Sequence, residues 1–126
     1  MHAVSLTKHV MRVLKPALQG AQGTIKREIA SGISKLYQTE DGNLYVVIRR
    51  EGNIAVFVAV AGYGLYHSRN ELIDFARINH FSAIRFHTKH PERLRKGLQG
   101  LLVKRIAINK SLFSRDEWVY LLELNR

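Results

Sequence analysis

Residues Ile54 to Ala61 read Ile-Ala-Val-Phe-Val-Ala-Val-Ala, apolar at every position. A strand with one wet face alternates polar and apolar residues, so this run predicts a central strand covered on both sides. Eight residues fall far short of the roughly 20 that cross a bilayer. The flanking segments must therefore supply cover for two faces of one sheet. The chain of 126 residues is long enough to do so as one domain, residues 1–126, with a core that needs no covalent staples.

The flanks supply that cover. Residues 5–19 carry Leu6, Val10, Val13, Leu14, Ala17 and Leu18 at helical spacing, with Lys8, Arg12 and Lys15 on other faces. A basic amphipathic start also resembles an organelle presequence, but no small-residue cleavage site follows, so a first helix docked on the core is expected. Gly20 and Gly23 end it. A second short helix follows, with Thr24 as its expected N-cap and Gly32 as its C-cap. Ile33–Gln38, Leu44–Arg49 and Ile54–Ala61 are strands joined by turns at Asp41-Gly42 and Glu51-Gly52-Asn53. Three strands on tight turns make an antiparallel meander.

The period then changes. Ser68-Arg69-Asn70-Glu71 fits a capping box, and Leu72, Ile73, Phe75 and Ala76 form the buried face of a helix ending near His80. Ala83–Thr88 is a strand, parallel to the apolar one because a strand–helix–strand unit crosses over right-handed. Pro91 opens a last helix, with Leu94, Leu98 and Leu101 as its stripe, weakened by Gly97 and Gly100. Val103–Ile108 and Glu117–Leu124 close the sheet around a turn over 109–115. The expected architecture is α+β or α/β: two N-terminal helices, a mixed and mostly antiparallel sheet of about six strands, and two further helices.

Charge bounds the function loosely. Lys and Arg number 20 against 10 for Asp and Glu, a formal net charge of +10. Arg85, Lys89, Arg93, Arg95, Lys96, Lys104 and Arg105 crowd one stretch that holds a single acid, Glu92. They read either as a solvated face or as a surface for a polyanion, DNA or an acidic protein. No base-reading motif accompanies them. The absence of cysteine excludes disulfides, thiolate metal sites and cysteine nucleophiles. His87 and His90 straddle a strand end without a third ligand nearby, so no metal site is expected. Serine-hydrolase and P-loop signatures are missing.

The element order resembles the GCN5-related N-acetyltransferase (GNAT) fold over nearly the whole chain. The blocks Ile29-Ala-Ser-Gly-Ile-Ser-Lys-Leu-Tyr37, Glu71-Leu-Ile-Asp-Phe-Ala-Arg-Ile-Asn-His80 and Ala83-Ile-Arg-Phe-His87 further resemble small GNAT-like proteins of tailed bacteriophages. The resemblance implies an acetyl-CoA site ahead of the central helix. There Gly62 and Gly64 let the backbone turn, Tyr63 could stack or cover the sheet end, and Ser68 and Arg69 lie at the helix start. The family's Gln/Arg-x-x-Gly-x-Gly/Ala loop is absent from Ala61–His67. The tyrosine that serves as acid in many members is missing from residues 90–100. No ionisable residue lies in Ile54–Ala61 to act as base; Glu51 and His67 are the nearest substitutes.

These departures lead to the expectation of a non-catalytic phage protein with no cofactor. It would be virion-associated, or meet a host factor or DNA through its basic surface, in the virion or the host cytoplasm, and could pair with itself through its last strands. One alternative is an acetyl-CoA-dependent N-acetyltransferase with a shortened phosphate loop, using Gly62, Tyr63, Gly64, Ser68 and Arg69. Another is a phage-encoded inhibitor of a host complex.

Overall fold

A computed structural model describes residues 1–124. In chain order the elements are β1 (His2–Ala3), α1 (Lys8–Leu18), α2 (Gln22–Ser31), β2 (Ser34–Gln38), β3 (Leu44–Glu51), β4 (Ile54–Gly62), α3 (Leu65–Ile78), β5 (Ala83–Thr88), α4 (Pro91–Leu94), β6 (Val103–Asn109) and β7 (Glu117–Glu123). The strands form one sheet in the order β1-β2-β3-β4-β5-β7-β6. Only β4 and β5 run parallel. Seven strands replace the expected six or so, because two-residue β1 pairs with the end of β2. Two residues carry no period, so no sequence pattern could announce them.

The apolar run is the centre of the sheet and is covered on both faces, as its composition requires. On one side Ala55 and Phe57 pack with Leu72, Ile73 and Ala76 of α3. On the other, Ala59 and Ala61 pack with Val10, Leu14 and Leu18 of α1. Alternate residues of a regular strand share a face, yet Phe57 and Ala59 do not. The register against β3 explains it: Ile48 faces Phe57 and Val47 faces Ala59, so Val58 is skipped. This β-bulge turns the strand over midway and increases its local twist.

The same bulge opens the sheet. β4 pairs with β5 only from Ile54 opposite Ala83 to Phe57 opposite Phe86. Beyond that point Val58–Gly62 run free of β5. β5 continues instead against β7, with His87 opposite Val119 and Thr88 opposite Trp118.

Three local expectations are corrected. α2 starts at Gln22 behind Ala21, so Thr24 sits inside the first turn and does not cap it. α4 is one turn long rather than reaching Gly100. Its glycines yield to turns at 95–100. The capping box is also not formed. α3 begins at Leu65 behind Gly64, whose φ of 79° is left-handed, a conformation glycine adopts freely. Ser68 thus lies in the helix, its amide bonded to the Gly64 carbonyl. Glu71, expected to reach back to Ser68, instead accepts from the Met1 amino group at 2.7 Å and the Glu40 amide at 3.0 Å.

Candidate functional site

Where β4 leaves β5, a cavity of about 660 Å³ opens. Val13, Pro16 and Ala17 of α1 line one end, and Leu65, Leu72, Leu94 and Leu98 line the other. The α1 and α3 helices lie on opposite faces of the sheet, so the cavity passes through the sheet at the split. Its walls are mainly apolar, and Val58–Gly62 contribute an unpaired strand edge with free backbone groups.

The cavity touches the start of α3 at Gly62 and Leu65. The amides of Leu65, Tyr66 and His67 meet no acceptor among the described residues. A fourteen-residue helix concentrates about half a positive charge at that end. The sequence-predicted residues around it divide by role. Gly62, at φ 126°, presses its backbone on β3, where a Cβ would stand 2.0 Å from the Asn43 carbonyl oxygen. Tyr63 gives its amide to the same oxygen at 3.1 Å, and its ring is exposed. Gly64 sets the helix start. Ser68 is 5% exposed, and its hydroxyl faces the Asp41 carboxylate at 3.5 Å. Arg69 donates to the carbonyls of Gly97 and Gln99 and stacks on Tyr66 at 4.3 Å. It lines the cavity but is engaged in fastening the 95–100 turns over α3. The unpaired donors at this end of α3 are therefore mainly backbone.

The seven basic residues are not gathered on one face. Arg85 joins Glu51 at 2.7 Å in a chain of pairs that continues through Arg49 to Glu28 of α2. Lys104 pairs with Glu123 at 3.1 Å. Lys89 contacts Ser114 at 3.4 Å. Arg105 lies over the Trp118 ring at 5.0 Å. Arg93 lines the cavity, Arg95 lines a smaller pocket beside Trp118, and Lys96 is exposed.

The substitutes named for a base fare differently. Glu51 sits at the β3–β4 turn, at the far end of β4 from the split. Its carboxyl is held below the ordinary value of 4.5 by hydrogen bonds from Arg85 and Arg49, against a smaller desolvation effect. That stabilisation is complete above pH 4.5 and is lost as pH falls through the depressed folded-state value. Glu51→Gln is expected to remove part of the acid sensitivity, read as a smaller drop in urea midpoint between about pH 6 and about pH 2. His67 is exposed in the first turn of α3.

The titratable groups that do reach the cavity are His87 and His90. His87 holds Nδ1 3.2 Å from the Glu117 carboxylate. Glu117 also accepts from Asn109 at 2.9 Å. Burial pushes the Glu117 carboxyl upward, but hydrogen bonds from Asn109 and His87 and the charges of His87 and Lys89 bring it below its ordinary value. His90 differs: the Arg115 guanidinium, which can only donate, lies 2.7 Å from its Nδ1. Among the described residues no group of three metal-ligating side chains comes together, and no helix is long and apolar enough to cross a membrane.

A mixed sheet with one parallel pair that parts over a bulge, followed by a helix whose free amides close the gap, is a GNAT-like fold. Solved structures agree. The ribosomal-protein-S18-alanine N-acetyltransferase of Escherichia coli matches with TM-score 0.60 and 12% identity, over 99% of this chain and 94% of that one. A probable acetyltransferase from Staphylococcus epidermidis matches with TM-score 0.63 and 7% identity, over 98% and 99%. YncA of Salmonella typhimurium, an acetyltransferase candidate solved with its cofactor acetyl-CoA, matches with TM-score 0.51 and 15% identity, over 82% and 72%. No family model and no curated protein matches the chain.

These comparisons count against the expectation of a non-catalytic phage protein. The structures that share the fold carry acetyltransferase names, two of them as probable or candidate enzymes, and one was solved with acetyl-CoA.

Proposed function

We propose that the protein is an acetyl-CoA-dependent N-acetyltransferase. The observation that carries this reading is the cavity through the split sheet, which reaches α3 at Leu65, the first of three residues whose amides are unpaired among the described residues. The residues fit the donor in three respects. The amides of Leu65, Tyr66 and His67 suit a pyrophosphate, because a helix N-terminus favours anions. The free edge of Val58–Gly62 offers strand-type donors and acceptors to the amide groups of a pantetheine arm. The apolar walls exclude water from a thioester.

Acetyl-CoA supplies the acetyl group in thioester form. The chain's own work is to hold the donor against β4, to keep water away, and to admit an amine from the α1 side. The shortened loop leaves the phosphates on backbone rather than on a side-chain cation. Calorimetry with acetyl-CoA tests the reading. Dissociation constants on the order of micromolar are expected. No heat at ligand concentrations on the order of millimolar removes the proposal.

A further inference from the structure

His87 and Glu117 lie 30 positions apart in sequence and meet only because β5 pairs with β7. His87 is one-third exposed, with a side-chain accessibility of 34%, and it lines the cavity at the point where β4 and β5 have parted. The Glu117 carboxylate can only accept a hydrogen bond when ionised, so it selects the tautomer with the proton on Nδ1. Nε2 is then the lone-pair nitrogen, and no protein group among the described residues takes it. A carboxylate that orients an imidazole and stabilises its protonated form is the arrangement that makes histidine a general base.

We infer that His87 is the general base that deprotonates the acceptor amine, and that Glu117, steadied by Asn109, is its positioning residue. The inference rests on the acetyltransferase reading and extends it to the proton. The acceptor arrives as an ammonium ion. Nε2 of His87 takes one proton and passes it to solvent. The freed nitrogen pair forms the C–N bond to the acetyl carbonyl carbon as the C–S bond breaks. The second proton lost from nitrogen ends on the coenzyme sulfur, which leaves as a thiol.

Charged groups around the imidazole are few. Glu117 faces it from β7. Arg85 shares its strand and is neutralised by Glu51, and Lys89 follows on the same strand. His90 and Arg93 line the same cavity from the α4 segment. From α1 the lining residues Val13, Pro16, Ala17 and Gln19 carry no charge. His90 is engaged differently: its Nδ1 lies 2.7 Å from the Arg115 guanidinium and 3.4 Å from the Glu92 carboxylate, which Arg115 also holds, so no carboxylate faces it alone.

The test is thiol release from acetyl-CoA as a function of pH, with glycylglycine as the acceptor probe, alongside acetyl-CoA binding by calorimetry. His87→Ala is expected to lose about 100-fold or more in kcat near neutrality, with acetyl-CoA binding unchanged. Glu117→Gln, which keeps an acceptor for Nδ1 but no charge, is expected to lower kcat about 10-fold with the KM for glycylglycine unchanged. Rescue of His87→Ala by added imidazole would support the assignment further. A wild-type kcat in His87→Ala, a wild-type kcat in Glu117→Gln, or a wild-type protein that binds acetyl-CoA but releases no thiol at any pH overturns it. Failure of the wild type to bind acetyl-CoA is the distinct result that removes the acetyltransferase reading itself.

Discussion

Gly62→Ala is expected to destabilise the protein by about 4 kcal/mol, more than an ordinary surface substitution by an order of magnitude. Two effects add. The residue sits at φ 126°, where side chains are rarely tolerated, and the new Cβ would stand 2.0 Å from the Asn43 carbonyl oxygen and 3.1 Å from the Leu44 Cα. The obstruction is backbone on both counts, so no side chain can swing aside. Relief requires β3 and β4 to separate at the position where Tyr63 donates to that same oxygen. Urea unfolding checks it, since the midpoint should fall with little change in slope. Gly64→Ala is the matched comparison. It shares a left-handed backbone, at φ 79°, but has open space, with the nearest neighbouring atom 4.0 Å from the new Cβ. It should cost only about 1–2 kcal/mol.

Ala17→Trp is expected to raise the KM of the acceptor amine by about 100-fold, equivalent to about 2.7 kcal/mol, with acetyl-CoA binding little changed, while stability moves by no more than about 1 kcal/mol. Ala17 is half-buried on α1 and lines the cavity at its α1 end. An indole there would occupy space that the folded protein leaves open, so the core need not be repacked. Lys15→Trp, on an exposed position of the same helix, controls for the indole itself and should bind as the wild type does. Thiol-release kinetics on both variants give the acceptor KM, calorimetry gives the acetyl-CoA affinity, and thermal unfolding gives the stabilities. Equal acceptor KM in the two variants would place the amine outside the α1 end of the cavity.

The sheet was readable because its signals are local. Alternation, turn glycines at Gly42 and Gly52, and the crossover rule were enough to place β2 to β5 and the parallel pair. The bulge at Val58 was not readable. Its neighbours are apolar on either face, so a change of face within Ile54–Ala61 leaves no trace in residue type. Ser68-Arg69-Asn70-Glu71 satisfied a capping pattern, but the left-handed Gly64 three residues after the strand's alanine had already begun the helix. Local side-chain chemistry was outcompeted by backbone freedom one turn earlier.

The site was less legible than the fold for a related reason. The donors proposed to hold an anion are amides, which every residue carries, and sequence cannot distinguish which of them are left unpaired. The His87–Glu117 contact depends on the register of β5 against β7, a long-range quantity. His87 attracted notice only beside His90 as a metal candidate, and the structure gives those two imidazoles different partners. The basic stretch from Arg85 to Arg105 looked continuous along the chain, yet strand alternation and acidic neighbours divide it.

The opening between β4 and β5 reaches both faces of the sheet. A molecule bound by the α3 amides and one approaching over α1 would use separate doorways into one chamber. Neither has to leave before the other comes in, so an acetyltransferase built this way has no need to store the acyl group on itself between visits. With double-reciprocal plots, such a catalyst gives intersecting rather than parallel lines.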